Sequence, residues 1–221
     1  MTVPKSLPSA ADFTRFDFGS LTPRECYKLL IGTVVPRPIA WVTTVDTENH
    51  VNAAPFSFFG VLSADPPILA IGVENHGDLS FKDTGHNIRH TGEFTVNIVG
   101  AENLDAMNVT AVPFPAGVDE LERAGLTALP GTHVRSPYIA EAPAAFECRR
   151  HVTLQVGGSR EIVIGEVLAL HIRSNLVNER LHIDPKGLNA LGRMGGHGYV
   201  RTGETFDLPT MSLDEWTAGI S

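Results

Sequence analysis

Alternation of apolar and polar residues dominates the chain, and it predicts strands more often than helices. The runs "RPIAWVTTV" from Arg37, "NAAPFSFFGVLS" from Asn52, "PPILAIGVE" from Pro66 and "EFTVNIVG" from Glu93 read as strands. So do two long runs, "AAFECRRHVTLQVG" from Ala144 and "REIVIGEVLALHIR" from Arg160, separated by Gly157, Gly158 and Ser159 as a hairpin turn. Asp46 to His50 is short and polar, which predicts a hairpin between the first two strands.

Helical signals are few. Thr22, Pro23 and Glu25 form a capping-box start for a helix ending at Gly32. Asp78 predicts an N-cap for a second helix that Gly92 stops and Gly85 weakens. "AENLDAMNVTA" and "DELERAG" predict two short helices. Residues 1–20, with Pro4 and Pro8, predict an extended arm, and residues 189–221 a polar, Gly-rich tail. Residues 112–143 are a long Pro- and Gly-rich excursion, more than a core needs, and are expected to cover something. Six or seven strands without repeated βαβ alternation predict one domain over 1–221, an antiparallel barrel with helical decoration.

The composition sharpens this. The chain has 221 residues, 43% hydrophobic and 19% charged, enough apolar material for a substantial core. The net charge of −8, with no Lys/Arg run, argues against a nucleic-acid or anionic-membrane surface. The start lacks a signal-peptide pattern, and no stretch reaches the roughly 18 apolar residues of a membrane helix, so a cytoplasmic location is expected. Cys26 and Cys148 form no CxxC and read as reduced core thiols; Arg149 and Arg150 give only weak support for a reactive Cys148.

Several chemistries have no motif. There is no GxxxxGK[ST]; "GRMGGHG" follows no clear strand and is not GxGxxG; no GxSxG occurs. His86 and His90 have metal-ligand spacing, but Asn87 follows His86 and no third ligand is evident, so a solvated helix face is the expectation. His151 alternates with apolar residues and is expected inside the barrel.

The unusual stretch is "NAAPFSFF". Ala53 and Ala54 remove bulk, Pro55 removes a ladder donor, and Ser57 offers a hydroxyl, features that let a planar ligand approach the backbone. Thr43 and Thr44 end the preceding strand. Lys82 and Thr84 sit early in a helix, where amides and the dipole favour an anion, and Arg37 adds a guanidinium. Each feature alone is ordinary; the combination suggests a slot with a phosphate pocket.

These blocks, "RPIAWVTT", "NAAPFSFF", "DPP", "KDT" and "TGEFTVN" in that order, resemble the flavin reductase-like family of FMN-binding split barrels, from about Tyr27 to about Pro209. The resemblance implies a mainly β, six-stranded Greek-key split barrel with several short helices, a homodimer, and non-covalent FMN, rather than FAD, near the subunit interface. It places Arg37, Trp41, Thr43 and Thr44 along the flavin, and Asn52, Ala54, Pro55, Phe56, Ser57 and Phe58 around the ring and ribityl chain. Lys82, Asp83 and Thr84 would meet the phosphate. In the tail, Arg193 and Tyr199 are expected beside the flavin at the interface. FMN accepts hydride at its own N5, so no catalytic side chain is singled out and no metal is expected.

The function expected is NAD(P)H-dependent FMN reduction, with NADH or NADPH as reductant, for a partner monooxygenase or another acceptor. The alternatives are an FMN-containing electron carrier and a barrel whose hydroxyls are purely structural.

Overall fold

The computed structural model describes residues 9–115 and 117–218. Helix α1 (Pro23–Thr33) starts as its sequence predicts: Thr22 Oγ1 accepts the Glu25 amide, and the Glu25 carboxylate accepts the Thr22 amide at 2.8 Å. There follow β1 (Arg37–Pro38), β2 (Ala40–Val45), β3 (Val51–Phe56), β4 (Phe59–Ala64) and β5 (Pro67–Glu74). Then come α2 (Asp83–Thr91), β6 (Glu93–Ile98), α3 (Leu104–Val109), α4 (Glu120–Arg123), β7 (Ala128–Leu129) and β8 (Tyr138–Ile139). The long hairpin β9 (Ala144–Val156) and β10 (Arg160–Ile172) precedes α5 (Pro185–Leu188), β11 (Leu191–Arg193), β12 (Tyr199–Arg201) and α6 (Leu213–Ala218).

The architecture is mainly β. Seven strands form an antiparallel sheet in the order β3-β2-β6-β9-β10-β5-β4, one more than the six expected. The sheet curls until β3 meets β5, while its two edges, β3 and β4, stay unladdered, which is the split in the barrel. Inside lie Val42, Leu69, Ile71, Val73, Phe94, Val96 and Val163, and Ile88 of α2 reaches into the same cluster. Gly165 is required here: a Cβ on it would meet Phe94 Cζ at 2.3 Å.

Strand β2 is buried on both faces. Ala40 and Val42 face the barrel, whereas Ile39 and Trp41 face a second apolar layer with Met107, Leu121 and Ile139 from residues 101–142. The excursion therefore covers the outer face of β2, and each large side chain in that layer contributes roughly 1.5–3 kcal/mol of burial.

Several expectations need correction. "NAAPFSFFGVLS" is two strands, because Ser57 and Phe58 bend the chain and β4 leaves β3 to pair with β5. Helix α2 starts at Asp83: Asp78 instead holds a tight turn, accepting the Ser80 amide at 3.0 Å and hydroxyl at 2.6 Å, which competes locally with helix. Gly92 does stop α2, in the left-handed region at φ 74°. The tail contains strands after all: β11 joins β1 to β12 in a three-stranded sheet, with Arg37 opposite Arg193. His151 is exposed because β9 outruns its neighbour β6, whose ladder ends opposite Arg149. Cys148 is buried in the core, its thiol pushed up to about 12 by burial and the Glu147 charge, while Cys26 is only half-buried on α1. The arm's first eight residues lie outside the described ones; the remainder has short 3-10 turns at Ala10–Asp12 and Phe18–Ser20.

Candidate functional site

Three adjoining cavities follow β3. The largest, about 520 Å³, lies between β3, the start of α2, the end of β5 and residues 110–114. A second of about 250 Å³ runs toward Arg37, Arg193 and Tyr199, and a third of about 190 Å³ toward Phe58 and Gly72. Pro55 and Phe56 line all three, so the cavities form one groove floored by β3.

The oddities of "NAAPFSFF" have local causes. β3 is an edge strand, and its residues opposite Trp41 and Thr43, namely Pro55 and Ala53, turn their amide positions away from β2. Ala53 N–H donates to Glu120 Oε2 at 3.0 Å; two residues on, Pro55 has no N–H to leave unpaired.

At one end of the groove, α2 points its N-terminus into the large cavity. No side chain caps it, and Lys82, Asp83 and Thr84 line the wall. Asn52 Nδ2 donates to Thr84 Oγ1 at 3.0 Å and more weakly to Thr44 Oγ1 at 3.4 Å, which ties β3 to the first turn of α2. Asn75 lines the same cavity and is 5% exposed; its Nδ2 donates to the Gly158 carbonyl, and its buried Oδ1 has no partner among the described residues. Glu120 is 7% exposed there, and burial, with Asp83 and Asp119 nearby, pushes its carboxyl up.

The other expected residues divide into two groups, with Arg37 apart. Ala54, Pro55, Phe56, Ser57, Phe58, Arg193 and Tyr199 line the groove. The Arg193 guanidinium lies 4.4 Å from the centre of the Tyr199 ring. Trp41, Thr43 and Thr44 are fully buried one layer behind: Trp41 Nε1 donates to Thr110 Oγ1 at 2.9 Å, Thr43 Oγ1 donates to the Pro137 carbonyl, and Thr44 Oγ1 accepts from Asn87 Nδ2 at 3.1 Å. Arg37 borders the groove, but its donors are committed to the carbonyls of Ile31 (2.7 Å), Val34 (2.9 Å) and Met194 (3.1 Å) and to Ser57 Oγ (3.4 Å). It clamps α1 and the tail hairpin together.

Sequence reasoning missed Asn75 and Thr110, and within the 112–143 excursion that it expected to cover something it did not single out Glu120. Glu120 sits in a four-residue helix too short for periodicity to reveal its buried side. Asn75 follows β5 in a polar turn that resembles any other. The His86 and His90 rings lie 4.1 Å apart, tilted by 35°, on an exposed face of α2, and no group of three or more His/Cys/Asp/Glu able to hold a metal occurs among the described residues.

The donor set fits a phosphorylated flavin. The uncapped helix end and Lys82 suit an anion, the unpartnered Asn75 oxygen suits a hydroxyl-bearing chain, and the Pro55–Phe56 strip suits a flat ring.

Known proteins resemble the chain over most of its length. An uncharacterized protein of Deinococcus radiodurans is 42% identical over 210 residues, covering 92% of each chain. Nitrilotriacetate monooxygenase component B from Bacillus cereus superposes with a TM-score of 0.85 at 32% identity, covering 89% of this chain and 98% of that one. The 2-nitrobenzoate 2-nitroreductase NbaA of Pseudomonas fluorescens gives 0.83 at 33% identity, covering 90% and 98%. With the flavin reductase like domain matched over residues 31–191, the split barrel and its groove make this chain a member of that flavoprotein family.

Proposed function

We propose that the chain holds FMN without a covalent bond along β3 and takes hydride from NADH or NADPH, delivering the electrons to a partner oxygenase or another acceptor. The observation that carries this reading is the continuity of the groove: an uncapped helix N-terminus with Lys82, joined through the Asn52–Thr84 hydrogen bond to the Pro55–Phe56 strip. Likeness to a monooxygenase component B and to a nitroreductase supports an oxidoreductase role.

When bound, FMN supplies the hydride-accepting N5. The protein's own residues orient and exclude. Lys82 and the α2 amides would bind the phosphate, Thr84 is held in place by Asn52, and Ala53 and Ala54 would let the ribityl chain approach the backbone. Pro55 and Phe56 would support the ring, and Arg193 and Tyr199 line the same cavity. The chain at Thr110 to Phe114 walls the large cavity and restricts water and bulk, which favours FMN over FAD.

A homodimer belongs to this reading. Tyr27, Leu30, Val34, Phe58, Val61 and Leu62 are exposed apolar side chains of α1, β4 and the neighbouring loops, and a second copy covering them would close the groove's open side. Two unpaired thiols fit a reducing, cytoplasmic setting.

The test is steady-state oxidation of NADH and NADPH with and without added FMN. Turnover that rises with FMN is expected. FMN binding without nicotinamide oxidation would leave an electron carrier, and absence of both would refute the reading.

A further inference from the structure

We infer that Glu120 meets the phosphate end of the ligand as a neutral carboxylic acid, so that binding a phosphorylated flavin takes up one proton at this side chain. This inference rests on the FMN reading above.

Three geometric observations lead to it. First, Glu120 is held at the cavity wall by backbone donors only: Oε2 accepts the Ala53 amide at 3.0 Å, its own amide also faces the carboxylate, and no side chain bonds it among the described residues. Second, the same cavity receives the uncapped N-terminus of α2, and the buried, unpartnered Oδ1 of Asn75 marks it as a place for a polar ligand. Third, its charge is wrong for a dianion. Glu120, Asp83 and Glu74 line the cavity and Asp119 adjoins Glu120, against Lys82; His76 is the other group there that can carry charge. Glu74 is offset by Arg160 at 2.5 Å, but Glu120 and Asp83 have no cationic partner among the described residues.

An ionised Glu120 would repel the phosphate; a protonated one turns an opposing charge into an O–H donor. Burial already raises its proton affinity, and an arriving phosphate raises it further. The proton comes from solvent, and no covalent bond changes. Unphosphorylated riboflavin leaves this balance nearly untouched, so the carboxyl discriminates between flavins in a pH-dependent way.

Flavin-fluorescence titration with FMN and riboflavin, on wild type and Glu120→Gln, tests this. The amide oxygen of Gln still accepts the Ala53 amide, so the fold is kept while the titrating group is removed. Wild-type FMN dissociation constants should rise by up to about tenfold per pH unit between about pH 7 and pH 9, above the phosphate's own titration, with riboflavin flat and Glu120→Gln flat for both. Calorimetry of the wild type with FMN in buffers of different ionisation enthalpy should register proton uptake without any variant. His76→Gln should keep the wild-type slope. A slope shared by Glu120→Gln, or equal for both flavins, or no proton uptake, overturns the inference while leaving the FMN reading intact. A wild type that binds neither flavin overturns that reading, and the inference with it.

Discussion

Asn52 Nδ2 donates to Thr84 Oγ1 at 3.0 Å, and through that bond an edge strand is fastened to the first turn of a helix 32 positions later. Both side chains are buried, and both line the largest cavity. The helix end and the groove floor proposed to receive the phosphate and the ring are thus tied to each other.

Lys82 lines the cavity at the N-terminus of α2, where the proposed function puts the phosphate. Lys82→Ala should weaken FMN by roughly 10- to 150-fold, a charge-assisted contact of about 1.5–3 kcal/mol, while riboflavin affinity changes little. Titration of both ligands checks it. Equal weakening would place the phosphate elsewhere.

How much of this was legible in sequence follows from distance along the chain. Capping of α1 by Thr22 and Glu25, the stop at Gly92 and the β9–β10 hairpin are local, and local rules found them. The blocks "NAAPFSFF" and "KDT", singled out because small residues, proline and an early helical lysine are unusual together, do line the groove. The layering was not legible. Trp41 and Thr43 alternate with Thr44 like any half-buried strand; only the cover supplied by residues 101–142 buries the outer face that carries Trp41 and Thr43, while Asn87 of α2 meets Thr44. Arg37 reads as a free guanidinium, yet Met194, 157 residues away, takes one of its donors. Glu120 carries no local signal at all.

The Arg37 clamp predicts a stability effect, not a phosphate effect. Arg37→Ala leaves the carbonyls of Ile31, Val34 and Met194 without this donor. A loss on the order of 1.5–3 kcal/mol is expected, seen as a lower denaturant midpoint with unchanged slope and faster proteolysis of the tail after Leu188. Unchanged stability with selective loss of FMN over riboflavin would instead make Arg37 a phosphate ligand.

Glu147 governs acid stability. It is fully buried; burial pushes its carboxyl up, but His171 at 2.5 Å, the Thr132 and His133 amides and the Thr132 hydroxyl outweigh that and hold it at about 2 against an ordinary 4.5. The stability it provides is complete above the unfolded value of 4.5 and is lost as pH falls through about 2. Glu147→Gln places an amide among these donors and should cost on the order of 3–5 kcal/mol near neutral pH, with a shallower acid transition below about pH 4.5. Urea unfolding across that range measures both.

The proposed dimer face makes a sharper distinction. Val61 is 75% exposed on the edge strand β4. Val61→Asp should change the monomer's own stability by no more than about 0.5 kcal/mol, yet shift sedimentation from dimer to monomer and weaken FMN with it. A dimer retained after this change would move the interface away from β4.

The groove itself is tested most directly by titrating the flavin-free wild-type chain with FMN while following flavin fluorescence. The account predicts saturable quenching with one FMN per chain, competed by riboflavin only at higher concentration because riboflavin lacks the phosphate that α2 and Lys82 receive. Unquenched fluorescence across the whole titration, or riboflavin binding as tightly as FMN, would contradict it.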